Sequence, residues 1–251
     1  MDSQGPSRGS EYELAAVDAM IESSEPGERG SAASLVEVAY VRLRSDVIHG
    51  ALAPGEKLRI EELRAKYGLG ATPLREALSR LSAVGLVEAS AQRGFRVSRV
   101  SVEDLDDVTE NRVRLECDLL RDSIAHGDEA WEARVAGAFH TLSKMEAKGL
   151  PLDADTFSRW EKRNRDFHEA LVASAVSRWT ARFRAMIYDH HERYRRISHL
   201  VGNRSFDVRR EHSSLCKAAL ARDADTACTV TALHIRRTGD AIRRQLAHRL
   251  R

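Results

Sequence analysis

From Ser101 to Arg251 the chain has a single proline, Pro151. Apolar residues there recur at three- and four-residue spacing, with little β-branched alternation. A stretch of about 150 residues with that pattern has few ways to bury its apolar stripes except helix against helix. The periodicity predicts helices near 103–126, 129–148, 154–174, 178–200, 205–222 and 224–249. Breaks are predicted at His126-Gly127-Asp128, Gly149-Leu150-Pro151, Ala175–Ser177, Val201-Gly202-Asn203 and Arg222–Asp225. No repeat at a fixed period is evident, so the expected form is an all-α bundle of six to seven helices.

The residues before Val100 read differently. Leu35, Val36, Ala39, Tyr40, Leu43, Val47 and Ile48 describe one helix, stopped by Gly50 and the turn Ala53-Pro54-Gly55. A short helix over Ile60–Tyr67 is broken by Gly68-Leu69-Gly70. Thr72-Pro73 then opens a third helix, with Thr72 as the expected N-cap and Pro73 at its first position. Leu74, Ala77, Leu78 and Leu81 form its apolar face. Leu86–Ala89 and Phe95–Val97 read as two strands around the polar turn Ser90–Gly94. Helix, helix, Gly-rich turn, helix and β-hairpin is the order of a winged helix-turn-helix. The fold expectation is therefore mainly α, with a winged helix-turn-helix over 35–100 and a helical ligand-binding and dimerisation domain over 101–251. Residues 1–34, Gly- and Ser-rich around one weakly amphipathic stretch, are expected to be a loosely ordered arm.

Charge follows the same division. Residues 1–34 carry two basic and seven acidic side chains, and 35–99 carry eleven basic and seven acidic. A basic segment of that kind is compatible with phosphate binding, as is any solvated basic face. No apolar run is long enough to span a bilayer, and no basic-then-apolar leader opens the chain, so a cytoplasmic location is expected. Three dispersed cysteines without a C-x-x-C pair read as reduced thiols.

A recognition helix reads the major groove with its N-terminal residues. That rule places Thr72 and Arg75 at the base edges and Arg93 and Gly94 at the wing tip, where glycine permits close backbone approach. The alternative is that these are ordinary surface residues of a protein-contact module. Gly50–Val100 strongly resembles the DNA-binding domain of the GntR family of bacterial regulators. The resemblance rests on Pro54-Gly55-Glu56-Lys57-Leu58, Thr72-Pro73, Arg75-Glu76-Ala77-Leu78 and Gly85-Leu86-Val87. It implies double-stranded DNA with an inverted-repeat operator as partner, bound by a homodimer. Where that family usually has an arginine before the Thr-Pro pair, this chain has Ala71; a lost bidentate donor removes roughly 1–3 kcal/mol of base discrimination. Arg59, Arg64 and Arg93 are the candidates to replace it.

Ten histidines are present. His190, His191, His199 and His248 stand in basic helical stretches and read as solvated. Asn164 and His168 are one helical turn apart on one face. His212 and His234 stand about eleven residues on either side of the Arg222–Asp225 turn, so in an antiparallel pair both lie roughly 16 Å from it and come level. Three imidazoles and an amide oxygen form a first shell suited to Zn²⁺, with Ni²⁺ or Mn²⁺ as other divalent possibilities. Satisfied core or surface histidines are the competing reading. Arg112-Val113-Arg114-Leu115-Glu116, Phe167-His168-Glu169-Ala170-Leu171, Glu211-His212 and Ala232-Leu233-His234-Ile235 resemble the FCD ligand-binding domain of the FadR subfamily. The resemblance implies a metal held by Asn164, His168, His212 and His234, with Arg112 facing the same cavity toward a small carboxylate effector. Asn164 replaces the aspartate commonest there. Arg112 could instead form a surface ion pair with Glu116, and Arg195 and Arg196 are further cavity candidates that a solvated face explains equally well.

The reading is a ligand-responsive transcription regulator, a repressor, with no enzymatic activity. A metal-dependent hydrolase using the three histidines is the rival, but no general base stands out: Asp166 projects off the His168 face and Glu211 is only a sequence neighbour. A DNA-binding protein with a purely structural bundle is the other.

Overall fold

The computed structural model describes residues 32–90, 94–149, 153–198 and 205–249. The chain separates into two compact units with the boundary between Val100 and Ser101. Most of the expected N-terminal arm, the wing-tip residue Arg93 and His199 lie outside the described residues, as does the side chain of His248.

The first unit begins with α1 (Ala32–His49), followed by β1 (Lys57–Leu58), α2 (Ile60–Tyr67), α3 (Ala71–Ala83), β2 (Val87–Ser90) and β3 (Gly94–Val97). Leu74, Ala77, Leu78 and Leu81 of α3 are fully buried against Ala39, Leu43 and Val47 of α1 and against Leu86 and Val97. That is the one-faced helix its sequence describes. Gly68 ends α2 in the left-handed region at φ +66°, where its N–H reaches Arg64 O, a conformation that favours glycine.

Two details depart from the sequence reading. Helix α3 starts two residues earlier than expected, with Gly70 in the cap position and no side-chain cap, so Thr72 is a helical residue and not the N-cap. Pro73 still fits, because the first intrahelical bond comes from the next residue, Leu74 N to Gly70 O at 3.4 Å. The sheet also gains β1, giving the antiparallel order β1-β3-β2 with Leu58 opposite Phe95 and Val87 opposite Val97. A two-residue strand has no periodicity to betray it.

The second unit consists of α4 (Val102–His126), α5 (Glu129–Glu146), α6 (Ala154–Leu171), α7 (Arg178–Ile197), α8 (Ser205–Leu220) and α9 (Ala224–Arg249). Ser101, Asp128, Asp153 and Ser177 cap four of these helices by accepting backbone N–H bonds at 2.8–3.4 Å. Helix α4 packs against α9 and α7, and α5 packs against α6 and α8. Trp131, Leu142, Phe157, Trp160, Phe167 and Leu215 fill the core at the α5–α6–α8 side. Toward α4, α7 and α9 the interior is polar: Arg112, Glu116, Glu161, Asn164, His168, Arg184, His191, Arg195, His212 and His234 are all buried. No described helix is long and apolar enough to cross a membrane.

Candidate functional site

Buried charge is costly unless it is paired, so a polar interior on this scale calls for an accounting of its partners. Three helices deliver one imidazole each: His168 from α6, His212 from α8 and His234 from α9. Their ligand atoms all lie within 4.8 Å of one another, and all three side chains are buried. The ring centroids of His212 and His234 are 4.8 Å apart, which is the levelling expected of an antiparallel α8–α9 pair.

Two of the three rings are oriented by carboxylates. His212 Nδ1 donates to Glu146 Oε1 and His234 Nδ1 donates to Glu211 Oε2, each at 2.8 Å. A ring that donates from Nδ1 presents the lone pair of Nε2, the tautomer a metal requires. Burial disfavours the charged form of the His168 and His234 rings. It pushes His168 well below its ordinary value, with Arg112 adding to the effect, and lowers His234 to about 4.

The donor atoms fit a metal. His168 Nε2, His212 Nε2 and Asn164 Oδ1 are buried, and none has a hydrogen-bond partner among the described residues. Asn164 lies one helical turn before His168, and its amide nitrogen is 3.4 Å from the Tyr188 hydroxyl, whose ring is 6.3 Å from that of His168. Three neutral imidazoles and an amide oxygen form a borderline-soft, neutral donor set suited to a divalent ion such as Zn²⁺.

Beside the histidines runs a continuous chain of charge, buried except at its Glu169 end. Glu161 accepts two bonds from Arg195 at 2.8 and 2.9 Å, and Arg195 Nη1 reaches His191 Nδ1 at 2.9 Å. Arg112 Nη1 reaches the same His191 nitrogen at 2.8 Å, while Arg112 Nε lies 3.4 Å from Glu116. Glu116 also pairs with Arg184 at 3.1 Å, and Arg184 with Glu169 at 2.7 Å. Four guanidiniums, those of Arg112, Arg165, Arg184 and Arg195, stand 4.4–5.4 Å from the Tyr188 ring. The Arg112–Glu116 pair is thus interior, with both side chains 2–3% exposed, and is not the surface pair its spacing also allowed.

The sequence reading of α7 needs correction. His191, which its basic neighbours make look solvated, is completely buried and sits between Arg112 and Arg195. Arg196 turns away from that chain to Glu192 at 2.8 Å and Ser158 at 3.3 Å, so Arg195 and not Arg196 stands beside Arg112. Glu146, Glu161 and Glu211 also belong to the site's surroundings. Nothing local distinguishes them from the many helical carboxylates of this chain. Glu211 is more than a sequence neighbour, but its two oxygens are taken by His234 and Arg237. Asp166 is half-buried and faces Lys162 and Arg163.

The DNA-reading candidates occupy the first unit. Thr72 and Arg75 are exposed on the first turns of α3, opposite its buried face, and Arg75 has no ion-pair or hydrogen-bond partner among the described residues. Gly94 opens β3 at φ +77°, with no atom within 4 Å of where a Cβ would stand. Arg59 and Arg64 are exposed and tied to Glu62 and Glu61 at 2.7 and 2.8 Å. Exposed i,i+3 pairs are worth well under about 1 kcal/mol, so phosphate can compete for either arginine.

Residues 35–97 match the model of the bacterial regulatory proteins of the gntR family, and residues 107–237 match the FCD domain. The chain is 41% identical over 210 residues to the uncharacterized HTH-type transcriptional regulator BphR of Paraburkholderia xenovorans, covering 84% of this chain and 86% of that protein. It is 36% identical over 200 residues to the HTH-type transcriptional repressor GlaR of Escherichia coli, covering 78% of this chain and 90% of the relative. Among solved structures, Escherichia coli McbR/YncC superposes with a TM-score of 0.72 at 20% identity, over 84% of this chain and 98% of that one, a likeness of fold.

Proposed function

Since the chain belongs to the GntR family of DNA-binding transcription regulators and carries an FCD domain as its second half, we propose that it is a homodimeric repressor whose operator affinity is set by a metal and a small carboxylate effector. The observation that carries the proposal is the buried triad His168, His212 and His234, with Nε2 of His168 and of His212 unpartnered, near the cationic chain through Arg112. A purely structural bundle has no need to bury imidazole lone pairs and guanidinium N–H groups without partners. The relatives are regulators and not hydrolases, and the carboxylates near the triad are engaged with histidine and arginine.

In this reading His168, His212 and His234 hold the metal, with the Asn164 amide oxygen as a neutral fourth donor. The metal, once bound, supplies a Lewis-acid centre to which a carboxylate oxygen can add. Glu146 and Glu211 fix the tautomers of two ligands, and Arg112 provides a fixed positive charge in a water-poor interior. Neutral Asn164 in place of a carboxylate leaves more positive charge on the site, which favours an anionic effector. On the DNA side, two winged units meet an inverted repeat, with Thr72 and Arg75 at base edges and Arg59, Arg64, Arg93 and Gly94 at the backbone or wing.

An effector can shift DNA affinity only through its differential affinity for two arrangements of the dimer. The test is an operator titration by fluorescence anisotropy at fixed salt, with and without divalent metal, against a panel of organic acids. At least one acid is expected to change operator affinity about 5–150-fold, and only in the metal-loaded protein. Operator affinity indifferent to metal and to every acid contradicts the proposal.

A further inference from the structure

We infer that His191 is a second, tautomer-locked donor to the effector's carboxylate, acting with Arg112 to select an anionic acceptor over a neutral amide; this rests on the effector reading above. His191 Nδ1 is approached by Arg112 Nη1 at 2.8 Å and Arg195 Nη1 at 2.9 Å. A guanidinium has only donors, so Nδ1 must be the acceptor in both bonds. Burial and the two arginines hold the ring well below its ordinary pKa, in agreement with a neutral imidazole. A neutral ring with a lone pair on Nδ1 carries its proton on Nε2.

That Nε2–H is buried and has no partner among the described residues, and the same is true of Arg112 Nη2. Two unsatisfied donors on residues already bonded to each other are an anomaly in a native interior. They call for a group that accepts from both. Arg112 lies 3.4 Å from Glu116, a carboxylate it shares with Arg184, so a further negative charge placed against Arg112 and His191 has a buried guanidinium to pair with. A carboxylate offers only acceptors and fits. A primary amide in the same two-point pose accepts from one donor with its oxygen but turns its NH₂ toward the other, and does not.

Five of the buried unpartnered atoms fall into two kinds. His168 Nε2, His212 Nε2 and Asn164 Oδ1 are lone-pair donors that suit a cation, whereas Arg112 Nη2 and His191 Nε2–H are hydrogen-bond donors that suit an anion. His191 thus sets which chemical groups can enter, in a position where the sequence reads as an exposed basic helix.

The test uses the full-length, zinc-loaded protein with acetate and acetamide as isosteric probes, followed by calorimetry. Acetate is expected to bind at least about tenfold more tightly than acetamide, since a hydrogen bond to a charged group is worth more than about 1.4 kcal/mol. In His191→Phe acetate affinity should fall at least tenfold and the preference over acetamide should shrink, with zinc content by elemental analysis unchanged. Because His191→Phe also strips Arg112 and Arg195 of a shared acceptor and can misfold, the wild type supplies an independent readout. In ¹⁵N-resolved NMR of the histidine rings, the His191 Nε2–H resonance should be present without acetate and should shift on adding it. An Nδ1-protonated ring, or an Nε2 signal indifferent to saturating acetate, overturns the inference. If Arg112→Met abolishes acetate binding and a folded His191→Phe does not, this inference fails while the effector reading stands. If neither substitution matters, or acetate does not bind, both fail.

Discussion

His212 Nδ1 lies 2.8 Å from Glu146 Oε1 across 66 residues of chain, and both side chains are fully inaccessible to solvent. The same oxygen accepts from Trp160 Nε1 at 3.2 Å, so the carboxylate is fixed from α6 as well as α8. A ligand held this way presents one nitrogen in one direction, and removing the holder loosens the ligand. Glu146→Gln is expected to weaken zinc binding about 10–100-fold while leaving all three imidazoles in place. Competition with a chromophoric chelator measures this. Unchanged affinity would make Glu146 a packing residue only.

The acid limb of stability follows from the buried imidazoles. His168 and His191 are pushed well below 6.5 by burial, with Arg112 contributing, and His234 is lowered to about 4. In the unfolded chain each titrates near its ordinary value. Between about pH 6.5 and 4 the unfolded state therefore binds protons that the native state does not, so the stability these groups contribute is complete above about pH 6.5 and is lost as pH falls toward 4. The metal-stripped protein should lose up to about 1.4 kcal/mol per pH unit for each such histidine across that window. Urea melts at pH 7 and pH 5 test this, and equal midpoints would be incompatible with neutral buried rings.

On the DNA side, Arg75, proposed above as a base-edge contact, is exposed with no competing partner among the described residues, and Ala71 is the first residue of α3. Arg75→Ala is expected to cost about 1–3 kcal/mol of specific operator binding at constant salt, with little change in non-specific binding. Ala71→Arg should alter base preference at one position of each half-site. Anisotropy titrations against operator variants read both, and an Arg75→Ala protein with native specificity would rule out α3 as the reader.

Helix α9 approaches α4 closely at Gly239, where a Cβ would stand 2.8 Å from Thr109 Oγ1 and 2.9 Å from Thr109 Cγ2. Gly239→Ala should destabilise the bundle by roughly 1–3 kcal/mol despite the better helix propensity of alanine. Thr109→Ala removes both clashing atoms and should recover most of that loss, giving a coupling energy above about 0.5 kcal/mol in a double-mutant cycle. Additive effects would mean the helices can separate without cost.

The parts of this architecture that a sequence expresses locally were legible. Apolar spacing placed all the long helices to within about three residues, and the equal distance of His212 and His234 from one turn foretold their meeting. What escaped was tertiary in origin. The run from His191 to Arg195 reads as solvent-facing because it is charged, yet all five residues are buried: Glu161 and Arg165 reach in from α6 to Arg195 and Glu192, and Arg112 reaches in from α4 to His191. Which carboxylate serves which base depends on helix packing, which no single segment encodes. Thr72 was displaced from its expected cap for a related reason: Gly70 sits in the extended cap conformation, so α3 starts at Ala71 without needing the hydroxyl.

Whether His168, His212 and His234 form a metal centre is decided by elemental analysis of the purified protein. About one divalent ion per chain is expected in the wild type and none in His212→Ala, with the variant still folded by circular dichroism. A wild-type protein that holds no metal after equilibration with zinc, or a His212→Ala protein that holds as much as the wild type, would contradict it.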